Sequence, residues 1–300
     1  MRNCSKLVWR NHFNHLILRS SFLILHLKMS TILDTIVAHK RLEVASRREL
    51  VPVKLLETSL YFNSQPLSLR KYLLREDGSG LIAEFKRKSP SKGWINQYAP
   101  VERTTLGYMQ AGAMALSILT DAEFFGGKNE DLTTARRFNF CPILRKDFVV
   151  DEYQIIEARS IGADAVLLIA AVLTPAEIDS LGRLARSLGL EVLLEVHDGE
   201  ELARSANADA VNLIGVNNRN LHDFSLSLDT SLALAEAIPN EFIKVSESGI
   251  STATAIGQLR EAGYRGFLLG EAFMRHARPE RACAALVQEI AALHKATAVA

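Results

Sequence analysis

An α/β chain closed into a barrel of eight parallel strands, each followed by a helix, is what this sequence predicts. Three observations predict it. Eight short apolar runs follow Gly80 at intervals of about 20–35 residues, the length of a strand plus a crossover helix. Helix-period segments fill the gaps between them. No Gly-x-Gly-x-x-Gly follows any run, which weakens the alternative of an open, doubly wound sheet. Eight units in roughly 220 residues suit a (β/α)8 TIM barrel in count and size. A chain of 300 residues with 48% hydrophobic content can bury such a core.

The elements follow in order. Residues 31–49 and 67–75 read as helices that pack on the barrel rather than form a second domain. The first has a hydroxyl cap at Ser30-Thr31 and an acid, Asp34, three residues on. The strand candidates are Leu81–Phe85, Ala115–Leu119, Pro142–Leu144, Ala165–Ile169, Val192–Leu194, Val211–Val216, Phe242–Val245 and Phe267–Leu269. Between the third and fourth, Glu152–Ala158 keeps helical spacing and Gly162 closes it. Between the fourth and fifth, Thr174-Pro175-Ala176-Glu177 starts a helix with a hydroxyl cap and Pro in the first position. Gly112, Gly189 and Gly263 read as further helix ends.

The net charge of +1 gives no pull toward nucleic acid, but it hides a split. Residues 1–28 carry Arg2, Lys6, Arg10, Arg19 and Lys28 and no acid, so the rest is mildly acidic. Their apolar stretch, Phe22–Leu25, is too short to span a membrane and lacks a signal peptide's uninterrupted core. The expectation is a dispensable extension, disordered or a start-site artefact with Met29 as the true start, and a single barrel domain over 29–300. Cys4, Cys141 and Cys283 are far apart and read as small hydrophobes in a reducing compartment. The scattered histidines argue for no metal site.

Barrel enzymes place their chemistry at the carboxyl ends of the strands, where eight loops converge. Here the first run ends in Glu84 and Lys86, which share parity and so direction. The third ends in Arg145-Lys146-Asp147, the fifth in Glu195 and the sixth in Asn217-Asn218-Arg219-Asn220. The seventh ends in Ser246-Glu247-Ser248-Gly249 and the eighth in Gly270-Glu271. One such charge is an ordinary solvated loop residue. Six together imply two lysines and two glutamates close enough to perturb one another, as acid–base catalysis requires. The last two loops, Ser248–Ser251 and Gly270–Met274, offer backbone amides and a tight turn into a short helix, features of a phosphate site. Glu271 is expected to give its amide there while its carboxylate points away. Phe124-Phe125, before Gly126-Gly127, lies outside any element and suits a wall for a flat ring. Trp94 is either lid or surface.

The stretches AEFKRKSPSKG, SILTD-x-x-FF-x-G, PILRKDF, LLEVHD, GVNNRNL, VSESGI and FLLGEAFMR stand in this order. Together they resemble the indole-3-glycerol phosphate synthase family of tryptophan biosynthesis, over about residues 30–300. The resemblance implies closure of an indole ring. The substrate is 1-(2-carboxyphenylamino)-1-deoxyribulose 5-phosphate; the products are indole-3-glycerol phosphate, carbon dioxide and water, with no cofactor. It implies Lys146 as general acid on the ketone oxygen and Glu195 as base or proton shuttle in dehydration. Lys86 assists and holds an anionic part of the substrate, while Glu84 orients Lys86. Asn217 and Arg219 line the pocket, Ser89 lies near the carboxylate and Phe125 packs on the aromatic ring. Ser248, Gly249, Gly270 and Glu271 grip the phosphate. The opening charge cluster is read as substrate grip on a mobile loop. The implied setting is cytoplasmic: a monomer acting on a small molecule, with no nucleic acid or membrane partner and other pathway enzymes as possible partners. Two alternatives differ in what they need. A sugar-phosphate isomerase barrel would place Cys or Asp where Glu84, Lys86 and Glu195 stand; a non-catalytic phosphate-binding barrel would not need Lys146 and Glu195.

Overall fold

The computed structural model describes residues 31–207, 209–220 and 225–299. The basic segment 1–28 and Cys4 lie outside them. All eight apolar runs are strands of one closed parallel barrel. In chain order the strands are β1 (Leu81–Phe85), β4 (Ala115–Leu119), β5 (Ile143–Lys146), β6 (Ala165–Ile169), β7 (Glu191–Val196), β8 (Leu213–Asn217), β9 (Ile243–Glu247) and β10 (Gly266–Leu269), with β10 closing on β1. A small antiparallel hairpin, β2 (Lys88–Ser89) with β3 (Gly93–Trp94), sits in the loop after β1. Several strands run past their apolar residues: β5 reaches Lys146, β8 Asn217 and β9 Glu247. The ladder continues there because backbone pairing does not need an apolar side chain.

Helices fill the intervals as expected. Thr174 and Glu177 form a reciprocal capping box at the start of α7 (Pro175–Ser187), as do Thr31 and Asp34 at the start of α1 (Ile32–Leu50). Gly112 and Gly162 end α4 (Val101–Ala111) and α6 (Glu152–Ile161) in the left-handed region, at φ 101° and 95°. Short α2 (Val53–Leu56) was not anticipated; α3 (Leu69–Leu73) fills part of the second predicted helix. The remaining helices are α5 (Asn129–Phe138), α8 (Gly199–Ser205), α9 (Asp229–Leu234), α10 (Ala253–Glu261), α11 (Glu271–Met274) and α12 (Pro279–Val299).

The strand pleat sorts the core into two layers. Leu81, Phe85, Ile118, Ile143, Leu168 and Leu194 pack outward against the helices. Ile82, Leu144, Leu167, Leu193, Leu213 and Leu268 fill the barrel interior, and this layer continues into Leu69 and Leu73. Helix α3 therefore plugs the amino end of the barrel. Along the inward rows, Ile82 is followed by Glu84, Leu144 by Lys146, Leu193 by Glu195 and Val245 by Glu247. The pleat that fills the barrel thus delivers polar side chains to its carboxyl end.

Helix α1 covers that end. Its buried stripe is Ile36, Lys40, Val44. Lys40 is fully buried and pairs with Asp121 and Asp147, each at 3.0 Å, and with Glu43 at 2.8 Å. Burial alone would discharge this amine; the carboxylates of Asp147, Asp121 and Glu43 outweigh it and raise its pKa. Asp121 and Asp147 follow β4 and β5, so the cluster ties the N-terminal helix to the strand ends beside the site. Cys141 and Cys283 are free and buried, as small hydrophobes would be. Among the described residues, no helix is long and apolar enough to cross a membrane.

Candidate active site

A cavity of about 1020 Å³, its open mouth included, occupies the carboxyl end of the barrel. Glu84, Lys86, Lys146, Glu195, Asn217, Arg219, Glu247 and Ser248 share its wall with Leu119, Phe125, Phe148, Leu167 and Ile169. A second lobe of about 730 Å³ is lined by Ser248, Gly249, Ser251, Gly270, Glu271 and Arg275. Glu84, Lys86, Arg219, Ser248, Leu268 and Glu271 line both, so the lobes are contiguous. Every site residue expected from the sequence therefore lies on one of these two lobes.

Polar contacts concentrate at the centre. Lys146 Nζ donates to Glu195 Oε2 at 2.9 Å and lies 3.1 Å from Glu247 Oε2. Asn217 Nδ2 donates to the other oxygen of Glu195 at 3.2 Å. Glu84 Oε1 holds Lys86 Nζ at 2.6 Å, and Ser117 Oγ donates to Glu84 Oε2 at 3.4 Å. Glu247 ended an apolar run in the sequence but was not among the expected site residues. Two signals could have found it: its parity with inward Val245, and a glycine inside the neighbouring strand. A Cβ at Gly215 would lie 2.3 Å from Glu247 Oε1, so β8 leaves out a side chain where this carboxylate enters. A Cβ at Gly270 would likewise meet Glu84 Oε1 at 2.5 Å.

Burial and charge split these groups. Burial would deprotonate Lys146, but Glu195, Glu247 and Glu84 outweigh it and raise its pKa well above the ordinary range. Burial would also raise Glu195; Lys146 and His197 reverse that, so it is lowered. Glu247, for which burial dominates and Glu195 adds repulsion, is raised. One lysine thus stands between a firmly ionised carboxylate and one that readily holds a proton.

The loop after β1 divides its charges. Only Lys86 of the three consecutive bases faces the cavity. Arg87 binds both oxygens of Asp131, at 2.5 and 3.2 Å, and Lys88 donates to the carbonyl of Glu123 at 2.6 Å. The charge cluster is therefore chiefly a loop-to-loop staple, because the hairpin turns Arg87 and Lys88 toward the loop after β4. Ser89 lines the cavity with a buried hydroxyl that has no hydrogen-bond partner among the described residues. The two phenylalanines also part. Phe125 lines the cavity beside Phe148, ring centres 5.8 Å apart, while Phe124 packs edge-on against His39 of α1. Trp94 is half exposed, with Lys88 Nζ 5.8 Å from its ring centre. Ile32, Leu33 and Ile36 of α1 also line the cavity, a contribution no strand-end reading could supply.

In the second lobe, Ser248 is the sole non-glycine with positive φ among the described residues, at 67°, followed by Gly249 at 77°. A left-handed serine costs roughly 1–2 kcal/mol, and such strain clusters at functional loops. The Glu271 carboxylate does not turn away from the mouth. Lys92 holds it at 2.5 Å and Arg219 approaches to 3.8 Å, so two cations draw it across the opening.

Fold and site together define the class: an enzyme of the (β/α)8 barrels, with an acid–base cluster where the loops converge. The comparisons make it particular. The family profile of indole-3-glycerol phosphate synthase matches residues 33–286. An indole-3-glycerol phosphate synthase from Bacteroides thetaiotaomicron is 47% identical over 251 residues, 84% of this chain and 95% of that one. The chain belongs to the indole-3-glycerol phosphate synthase family, and its activity is that of this carboxy-lyase of tryptophan biosynthesis. Solved structures add the fold alone. The tryptophan synthase alpha subunit from Legionella pneumophila superposes with TM-score 0.52 at 16% identity, over 72% of this chain and 92% of that one. A thiamine phosphate pyrophosphorylase from Pyrococcus furiosus gives 0.51 at 16%, over 70% and 95%.

Proposed function

We propose that Lys146 is the general acid of ring closure and that the contiguous lobes divide the substrate between them. The phosphate of 1-(2-carboxyphenylamino)-1-deoxyribulose 5-phosphate lies in the lobe of Ser248, Gly249, Gly270 and Glu271. The carboxyphenyl ring lies against Phe125, its carboxylate near Ser89 and Lys86. The ring carbon bearing the carboxylate attacks the ketone carbon, and Lys146 gives a proton to the ketone oxygen as the bond forms. Loss of carbon dioxide returns its electron pair to the ring. The new hydroxyl then leaves as water, with a second proton supplied to it, while the adjacent carbon gives a proton to Glu195.

The observation that carries this reading is the ammonium of Lys146 held between Glu195 and Glu247 at 2.9 and 3.1 Å. Held by two carboxylates, Lys146 is a weak acid. Its proton becomes available when Glu247, whose pKa is raised, is itself protonated and the substrate oxygen displaces one partner. Glu195 accepts and returns protons because Asn217 and Lys146 fix both its oxygens. Glu84 aims Lys86. The reading includes action in the cytoplasm as a monomer; free, buried Cys141 and Cys283 suit a reducing compartment.

The test uses purified protein and this substrate, following indole absorbance. Lys146→Ala should lower kcat by about 10²–10⁴, the span of a positioned general acid, while product still binds. Unchanged turnover would remove Lys146 from the role.

A further inference from the structure

His197 follows the last residue of β7, one pleat beyond Glu195, and is not among the residues lining the cavity. It lies between two carboxylates. Glu201 Oε2, on α8, accepts from the His197 backbone N–H at 2.8 Å and lies 3.1 Å from Nδ1. On the other edge of the ring, Nε2 is buried without a hydrogen-bond partner and lies 3.5 Å from Glu195 Oε1. Other charges surround the group. Glu247 of β9 adds its field, Lys146 of β5 lies beyond Glu195, and Arg204 approaches Glu201 at 4.0 Å.

An ionised carboxylate only accepts hydrogen bonds. A neutral ring donating from Nδ1 to Glu201 would turn the lone pair of Nε2 toward Glu195. The doubly protonated ring alone offers an N–H to each neighbour. We propose that His197 is a positioning residue of the reaction: as an imidazolium oriented by Glu201, it clamps Glu195 in the ionised form that accepts a proton. This deepens the assignment of Glu195 as base and rests on it. Burial favours the neutral ring, but the Glu201 hydrogen bond and the charges of Glu195, Glu201 and Glu247 outweigh it and raise the pKa above 6.5.

The sign of the pH effect follows. The clamp is complete while the ring is charged and is lost as pH rises through the ring's raised pKa. It keeps Glu195 ionised at low pH, so removing it moves the acid limb of the rate profile upward. The experiment compares kcat against pH for the full-length enzyme, His197→Asn and His197→Gln. Both variants should show the acid limb moved up by about one pH unit, so that they are about tenfold slower than wild type on that limb and within about twofold of it near pH 9. A loss of equal size at all pH values means the ring serves only the fold and overturns the proposal, as does no loss at all. Nitrogen NMR of the wild-type enzyme labelled in histidine gives a reading free of folding defects. The signal missing in His197→Asn should show both ring nitrogens protonated at pH 7; a neutral ring overturns the proposal. Glu195→Gln separates the two layers. If it retains turnover, the assignment of Glu195 falls and this proposal with it. If it is inactive while the His197 variants keep the wild-type profile, the proposal alone falls.

Discussion

Two lysines in this molecule stand among carboxylates at nearly the same distances, and one is built to stay still while the other is built to react. Lys40 meets Asp121 and Asp147 at 3.0 Å each; Lys146 meets Glu195 and Glu247 at 2.9 and 3.1 Å. Around Lys40 the charges are compensated. Asp147 also accepts from Thr120 at 2.7 Å and from Arg145 at 3.1 Å, and Lys40 and Arg145 lower its pKa against the effect of burial. Around Lys146 they are not: Glu247 is raised and the cluster opens on the cavity. Residue type and spacing do not separate the two clusters. The imbalance of charge and the adjoining space do.

The contrast can be broken first at its poles. Lys146→Ala should abolish most turnover, as stated above, and lower Tm by less than the Lys40 change, because Glu247 can take up a proton where the ammonium is lost. Lys40→Met should leave two buried aspartates without their ammonium and cost about 3–5 kcal/mol. That lowers Tm by roughly 10 °C in thermal unfolding. A Lys40 variant as stable as wild type, or a Lys146 variant that unfolds, would erase the distinction.

A smaller effect tests the imbalance itself. The folded-state pKa of Glu247 is raised above its ordinary 4.5, so the native state binds the extra proton. Stability then falls as pH rises from that value through the folded pKa. Glu247→Gln should therefore stabilise the enzyme at neutral pH by about 1 kcal/mol while lowering kcat. Asp147 has the opposite sign. Its pKa is lowered, so its contribution is present above its ordinary 3.8 and lost as pH falls through the folded value. Acid unfolding of Lys40→Met should begin at higher pH than that of wild type, measured by circular dichroism. The mildest change is Gly215→Ala, whose methyl would displace the Glu247 carboxyl. It should cost about tenfold in kcat with the fold retained, a ~1.4 kcal/mol effect.

Much of this was legible in the chain because the barrel is periodic. Alternation within each strand, plus the rule that chemistry sits at carboxyl ends, picks out Glu84, Lys146, Glu195 and Asn217 from sequence. The same parity puts Arg145 outward, where it bonds Glu157 at 2.6 Å and is wholly buried. Glu247 was readable by the same rule, through Val245 and Gly215. The Lys40 cluster was not, because its partners are joined only by how α1 docks and turns; a lysine within the stripe of Ile36 and Val44 was the one hint. The loop after β1 was illegible for a related reason. A short hairpin follows no periodicity, so nothing local says that Arg87 reaches Asp131 while Lys86 faces the cavity.

The most direct measurement is a crystal structure with an unreactive substrate analogue in which the ketone is reduced to an alcohol. The account predicts that this oxygen lies within about 3.2 Å of Lys146 Nζ, hydrogen-bond reach for proton transfer. It also predicts the phosphate in the lobe of Gly249 and Gly270. A phosphate bound elsewhere, or an alcohol oxygen out of reach of Lys146 and facing Lys40's side of the barrel mouth, would contradict it.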